Sequence, residues 1–138
     1  MKITRILVPI DGSECAYHAL DWALDIAEKY DSEIALLTVI PTVAFSLVGP
    51  TEEELQERAE KLLEEALDTI KKGKPNLKVT TKIHIGRPAE KIVETCIDDG
   101  VDLIVIGGEG LGGIKERILG SVSDKVAHTA PCPVTIIK

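Results

Sequence analysis

The sequence is poor in aromatic residues and has no long apolar segment, and each shortage excludes a class of protein. Aromatic side chains make up 3% of the 138 residues, so the core must be aliphatic, as is usual where helices cover a parallel sheet. No apolar run approaches the ~20 residues that a membrane-spanning helix needs. We therefore expect no membrane partner.

Positive charge and metal-binding patterns are also scarce. Lysine and arginine number 16 against 23 acidic residues, which gives a formal net charge of -7. Such a surface repels nucleic acids and anionic lipids, so nucleic acid is not an expected partner, although a nucleotide in a local pocket remains compatible. The three histidines lack metal-ligand spacing and a catalytic order, so we assign no metal ligands and no catalytic residues.

The cysteines are few and widely spaced along the chain. Cys15, Cys96 and Cys132 form no C-x-x-C pair, and no signal-like leader precedes Ile3. Free thiols in a reducing cytoplasm fit this pattern best, so we expect a cytoplasmic protein. Cys96 and Cys132 are interpreted as small packed hydrophobes, and Cys15 as a mild redox candidate.

Strand and helix patterns alternate along the chain, whose length fits one domain over residues 1–138. Helices are expected to begin after Ser13, after Thr51 with a capping box, at Pro88 and at Gly120. The third is expected to turn Ile92, Val93, Cys96 and Ile97 inward. The predicted strands are Thr4–Ile10, Glu33–Ile40, Leu77–Ile85, Val101–Ile106 and Pro133–Lys138. This order predicts an α/β fold, a doubly wound open five-stranded parallel sheet with helices on both faces.

A glycine and serine pattern follows the fourth predicted strand. Gly107 and Gly110 are separated by two residues, and nine further residues lead to Gly120 and Ser121. Glycines let a backbone approach an anion, and the N–H groups at a helix start supply hydrogen-bond donors. Since ligands bind at the carboxyl ends of parallel strands, the pattern predicts a phosphate site there.

This pattern resembles the ATP-binding signature of the universal stress protein family. The segments Ile6–Ser13 and Ala130–Ile137 resemble the opening and closing strands of that family. The resemblance implies strand order 3-2-1-4-5, ATP as the ligand and a homodimer joined through Pro133–Lys138. It also implies a set of nucleotide-binding residues: Pro9, Ile10, Asp11, Val39, Gly107, Gly110, Gly120, Ser121, Val122 and Ser123.

Within that set, Pro9 to Asp11 would border the adenosine, Val39 would lie against the adenine, and Ser121 with Val122 would contact the phosphates. Glu109 would place negative charge beside those phosphates, which predicts weak affinity or dependence on Mg or Mn bound with the nucleotide.

Structural roles remain open for several of these residues. Asp11 is equally compatible with a turn that stabilises its own backbone, and Val39 with ordinary core packing. Ser121 and Ser123 are equally compatible with capping the fourth helix, with Asp124 completing a capping box. The apolar loop Pro41–Pro50 fits a lid over the nucleotide, a subunit contact or packing on its own domain.

Three functions are therefore carried forward. The first is an ATP-binding cytoplasmic stress or regulatory protein that acts as a nucleotide-dependent switch or dimeric adaptor. The second is a slow ATPase or adenylyl-transferring enzyme activated by a partner, disfavoured because no obvious general base is present. The third is a dimeric scaffold that binds no nucleotide.

Overall fold

The computed structural model describes residues 1–108 and 119–138, in which strands and helices alternate. The strands are β1 (Arg5–Pro9), β2 (Glu33–Pro41), β3 (Val79–Gly86), β4 (Leu103–Gly107) and β5 (Val134–Ile137). The helices are α1 (Glu14–Tyr30), α2 (Glu52–Gly73), α3 (Pro88–Asp98) and α4 (Ser121–Thr129), and a short 3₁₀ helix covers Thr42–Ala44. Each predicted strand and helix is present, and no strand end differs from the prediction by more than two residues.

The five strands form one parallel sheet in the order β3-β2-β1-β4-β5. This confirms the predicted fold class and the order that the family resemblance implied. β1 lies at the centre, with Pro9 paired to Leu37 of β2 and Leu7 paired to Ile104 of β4. The carboxyl ends of β1 and β4 therefore meet at the same edge of the sheet.

Two aliphatic clusters cover the two faces of the sheet. Since successive side chains on a strand point to opposite faces, Ile6 and Val8 pack with α1 and α2, whereas Leu7 packs with α3 and α4. On α3, Ile92 and Cys96 are buried as predicted, but the inward placement of Ile97 is wrong, because its side chain is 62% exposed. Ile97 follows Cys96 directly and so lies about 100° further around the helix.

The helix starts follow the sequence signals in α1 and α2 but not in α4. The Ser13 hydroxyl accepts a hydrogen bond from the N–H of Ala16, and the Thr51 hydroxyl accepts one from the N–H of Glu54. α4 begins without a side-chain cap, since Gly120 holds the N-cap position. The prediction that Ser121 and Ser123 cap this helix is therefore wrong.

The amino ends of the strands are joined by a charged network. Arg5 forms a 2.6 Å ion pair with Glu33 and donates to the backbone oxygen of Asp99, while the Asp102 carboxylate accepts from the N–H groups of Thr4 and Arg5. Hydrogen bonds from Arg5 and Lys78 lower the pKa of Glu33. These groups hold β1, β2 and β4 together at the edge opposite the candidate site. Within residues 1–108 and 119–138, no helix has the length and apolar character needed to cross a membrane.

Candidate functional site

The candidate site lies at the carboxyl edge of the sheet, between the segments that leave β1 and β4. The β1–β4 register pairs Ile6 with Leu103 and Leu7 with Ile104, so its continuation sets Pro9 level with Ile106. The turn after Pro9 and the segment after Gly107 therefore leave adjacent strands at the same height. The structure thus brings together the two parts of the chain that the sequence singled out for nucleotide binding.

Gly107 allows α1 to approach the end of β4. A Cβ atom built on Gly107 would lie 2.8 Å from the backbone carbon of Cys15 and 2.9 Å from its oxygen. Because backbone atoms of a helix cannot move aside cheaply, this contact requires glycine. The first glycine of the pattern therefore has a packing role, and it places the start of α1 beside the end of β4.

Gly108 joins three elements at one point. It donates its N–H to the backbone oxygen of Ile137 in β5 at 2.8 Å, and its own oxygen accepts the N–H of Gly120 at 2.6 Å. The second bond joins the residue that follows β4 to the residue that precedes α4. The start of α4 is thereby fixed against the carboxyl ends of β4 and β5.

The start of α4 presents donors that the helix itself does not use. The first helical hydrogen bond runs from the N–H of Asp124 to the Gly120 oxygen, at 3.0 Å. An α-helix leaves the N–H groups before that point without helical partners and carries partial positive charge there. Ser121 is exposed and Val122 is half-buried, so this end of the helix is open to a ligand.

Ser123 is different from Ser121. Its side chain is 2% exposed, and its hydroxyl lies 3.2 Å from the Gly108 oxygen and 3.0 Å from the Gly120 oxygen, both possible acceptors. Ser123 therefore joins α4 to Gly108, the residue that follows β4. This contact gives it a structural role, whether or not a ligand is present.

Asp11 has the turn role that the sequence left open. Its Oδ1 accepts the N–H of Ser13 at 2.9 Å, and the side chain is exposed. Between them Gly12 has φ +85°, a left-handed conformation that favours glycine. The carboxylate is thus held at the site edge by its own turn, with its charge facing solvent.

Pro9, Ile10 and Val39 line the floor of this edge. Ile10 is buried, its N–H donates to the Leu37 oxygen, and its own oxygen accepts the Thr38 hydroxyl at 2.9 Å. Pro9 and Val39 are half-buried, and Val39 packs against the α3–α4 face of the core. Ile10 therefore has a packing role, whereas the side chains of Pro9 and Val39 keep some solvent-accessible surface.

The loop Pro41–Pro50 leaves the same edge from β2. Leu47, Val43 and Val48 are almost fully exposed, whereas Phe45 is half-buried. Three exposed aliphatic side chains in one loop disagree with complete packing on its own domain. The lid and the subunit contact remain as the two alternatives.

Sequence reasoning missed three contributors to this edge. Thr38 gave no signal, because a buried threonine in an apolar strand resembles ordinary core, yet its hydroxyl fixes the Ile10 carbonyl. Gly108 lies inside the glycine pattern, between Gly107 and Gly110, but was not given a role. Arg87 directly follows Gly86, which pairs with Pro41 at the end of β2, so an exposed guanidinium lies at the same edge.

Gly110 and Glu109 lie outside the described residues. Within the described residues, no group of three histidine, cysteine or acidic side chains is arranged to hold a metal ion. A divalent cation at this edge would therefore find Asp11 as a nearby carboxylate and would need further oxygen ligands from a phosphate. That donor set fits Mg, which commonly binds one or two carboxylates together with substrate phosphates.

Comparison with known proteins identifies relatives across the full length. The model of the universal stress protein family matches residues 2–138. A universal stress protein of Methanocaldococcus jannaschii is 35% identical over 97% of this chain and 81% of its own length. A universal stress protein of Archaeoglobus fulgidus solved in complex with dAMP is 25% identical, with a TM-score of 0.76 and full coverage of both chains. Another universal stress protein, solved in complex with cAMP, is 25% identical, with a TM-score of 0.78 and coverage of 100% of this chain and 99% of its own.

Proposed function

The chain belongs to the universal stress protein family, and we propose that it binds an adenine nucleotide, specifically ATP, at the carboxyl edge of β1 and β4. The observation that carries this proposal is the open start of α4, which Gly108 and Gly120 hold at the same sheet edge as the turn of Asp11. Relatives solved with dAMP and cAMP support an adenine nucleotide as the ligand class.

The phosphates would lie at the start of α4. The N–H groups of Ser121 and Val122 and the exposed Ser121 hydroxyl supply donors, and the helix dipole adds positive potential. Gly110 belongs to the same proposed loop. Gly120 lets the chain enter the helix without a side chain over the anion, and Ser123 holds the loop end in place.

The adenosine would lie across the ends of β1 and β2. Pro9 and Val39 keep accessible apolar surface there, and the Asp11 carboxylate is placed to accept hydrogen bonds from ribose hydroxyls. Mg or Mn would enter with the nucleotide and would neutralise phosphate charge beside Asp11. This is the basis for expecting tighter binding in the presence of the cation.

Calorimetric titration of nucleotide-stripped protein tests the proposal. ATP is titrated with and without magnesium, and adenosine is titrated in parallel to separate phosphate recognition from base recognition. The expected result is saturable binding at one site per chain, tighter for ATP than for adenosine and tighter with magnesium. Absence of heat at several temperatures, in protein shown to be folded and stripped, would favour the dimeric scaffold.

The biological role that we propose is that of a cytoplasmic stress or regulatory protein whose nucleotide state alters a partner contact. Slow ATP hydrolysis or adenylyl transfer is the weaker alternative. Asp11 is the carboxylate that the described part of the site offers as a base, and its Oδ1 already accepts the N–H of Ser13. Release of ADP or AMP above the buffer rate, absent in Asp11→Ala, would favour the enzyme.

A homodimer through β5 is the proposed assembly. β5 lies at the sheet edge. The oxygens of Pro133 and Ile137 accept the N–H groups of Ile104 and Gly108, so the alternating backbone groups of Val134 and Ile136 face the free edge. An apolar edge strand of this kind tends to pair with another chain.

A proline on this free edge tests the assembly. Val134→Pro removes one edge N–H at the first residue of β5, a position that tolerates proline. Sedimentation should show monomers for Val134→Pro and dimers for Val134→Ala. Equal profiles for the two variants would contradict pairing through this edge.

A further inference from the structure

Two of the three cysteines, distant in sequence, meet in the core. The sulfur atoms of Cys96 and Cys132 lie 3.1 Å apart, although 36 positions separate the residues along the chain. A disulfide bond is about 2.05 Å long, so roughly 1 Å separates this contact from a covalent link. Both residues belong to the α3–α4 face of the core.

The two thiols differ in access. Cys96 lies in α3 and is 2% exposed, whereas Cys132 is half-buried between the exposed residues Pro131 and Pro133. A small reagent can therefore reach Cys132 first, and Cys96 is then the adjacent thiol. Cys15 is engaged elsewhere, since its sulfur donates to the backbone oxygen of Ile137 at 2.9 Å.

The surroundings favour a redox pair over a metal site. Within residues 1–108 and 119–138, no third histidine, cysteine or acidic residue joins a cluster that could hold a metal ion. Structural zinc needs four ligands, so two sulfurs are insufficient. Two thiols within near-bonding distance are instead the arrangement that oxidation to a disulfide requires.

We propose that Cys96 and Cys132 are a redox modification site, which a small-molecule disulfide converts into an intramolecular disulfide bond. The Cys132 thiolate attacks one sulfur of the reagent, breaking its S–S bond and releasing one thiolate. After Cys96 loses its proton to water, its sulfur attacks Cys132 and expels the second thiolate. Two protein thiols are oxidised, and one reagent disulfide is reduced to two thiols.

The disulfide would close a covalent ring that contains the chain between β4 and α4. It would join α3 to the segment that enters β5, and Gly108 and Gly120 lie on the chain between these two points. Burial and the hydrogen bond with Cys96 raise the pKa of Cys132 to about 12. Because the thiolate is the attacking species, the disulfide should form slowly near neutral pH. Its formation should therefore require prolonged exposure to the oxidant.

The experiment treats the reduced full-length chain with oxidised glutathione at mildly alkaline pH. Remaining thiols are alkylated, and peptides are mapped by mass spectrometry. We expect a linked Cys96–Cys132 peptide about tenfold or more in excess of the mixed disulfide at Cys132, since the neighbouring thiol has a high effective concentration. In Cys96→Ser the mixed disulfide at Cys132 should accumulate, and in Cys15→Ser the link should form as in the natural chain.

Three outcomes would overturn the proposal. They are a mixed disulfide at Cys132 that persists beside an alkylated Cys96, a link that involves Cys15, and survival of both thiols through prolonged incubation. The peptide map of the natural chain distinguishes these three outcomes from the expected Cys96–Cys132 link without any variant. A failure of Cys96→Ser to fold would therefore leave the test intact, and nucleotide binding plays no part in the readout.

Discussion

A single proline at the start of α4 offers the sharpest test of the proposed phosphate site. Ser121 is the first residue of this helix, where its N–H has no helical acceptor, so Ser121→Pro removes a candidate phosphate donor without breaking a helical bond. Gly120 has φ -62° and ψ 155°, the extended conformation that the residue before a proline requires. Pro88 already occupies the equivalent position of α3.

The expected magnitude follows from the bonds removed. Ser121→Ala deletes the hydroxyl alone and should weaken ATP binding about tenfold or more, since one hydrogen bond to a charged group contributes at least roughly 1.5 kcal/mol. Ser121→Pro also deletes the N–H, whose charge-assisted bond contributes about 1.5–3 kcal/mol, so affinity should fall a further ~10- to 100-fold. Adenosine has no phosphate, and its affinity should be the same for both variants.

Calorimetry measures the ATP affinity and the adenosine affinity of each variant, and urea unfolding checks that the variants are equally folded. Equal ATP affinity of Ser121→Pro and Ser121→Ala would remove the N–H from the mechanism. A parallel loss of ATP and adenosine affinity would show that the variant distorts the pocket as a whole. The first result would refute the reasoning that places phosphates at this N–H, and in the second case Ser121→Ala alone would carry the test.

Three further predictions test the packing, the turn and the buried thiol. Gly107→Ala should lower the free energy of unfolding by about 1–3 kcal/mol in urea titrations, because its Cβ would lie 2.8 Å from the backbone of α1, whereas Gly73→Ala, with no atom within 4 Å, should cost nothing. Equal stabilities would contradict the close approach. Asp11→Asn keeps an oxygen for the turn N–H but loses the charge, so ATP affinity measured by calorimetry should fall about fivefold while unfolding is unchanged. Unchanged affinity would leave Asp11 with its turn role alone. The pKa of Cys132 is raised from 9.0 to about 12, so the fold favours the protonated thiol, and the stability that it contributes is complete below pH 9 and lost as pH rises toward 12. The difference in urea midpoint between reduced natural chain and Cys132→Ser should therefore shift over that range, and a constant difference would argue against the buried thiol.

The sequence predicted local structure well where one short signal is sufficient. Thr51 and Glu54 predict the start of α2, and Ser13 predicts the start of α1. An N-cap needs only a hydroxyl and the N–H three residues further along the chain. At α4 the same reasoning was wrong. Serine is a common capping residue, so Ser121 and Ser123 were predicted as caps. The Ser123 hydroxyl instead contacts the Gly108 oxygen, which only the tertiary fold places within hydrogen-bond distance.

Part of the candidate site could be proposed from the sequence, because it rests on short local patterns. The glycine pattern and the Asp11 turn are local features, so their positions along the chain were sufficient to propose a phosphate site. Strand order entered through the family resemblance, since periodicity does not determine which strands are neighbours. Arg87 and Thr38 were missed, because one depends on the β2–β3 register and the other on a hydrogen bond to Ile10 across the sheet.

The sequence by itself determined the alternation of strands and helices, the aliphatic core and the helix starts at Ser13 and Thr51, because these depend on contacts within a few residues. Only the tertiary structure decided that α1 requires a glycine at position 107, that Gly108 ties three elements together and that Cys96 meets Cys132. Those contacts join residues from 12 to about 90 positions apart on the chain. Their formation depends on which faces of the sheet the crossovers cover, and no pattern within a short window contains that information.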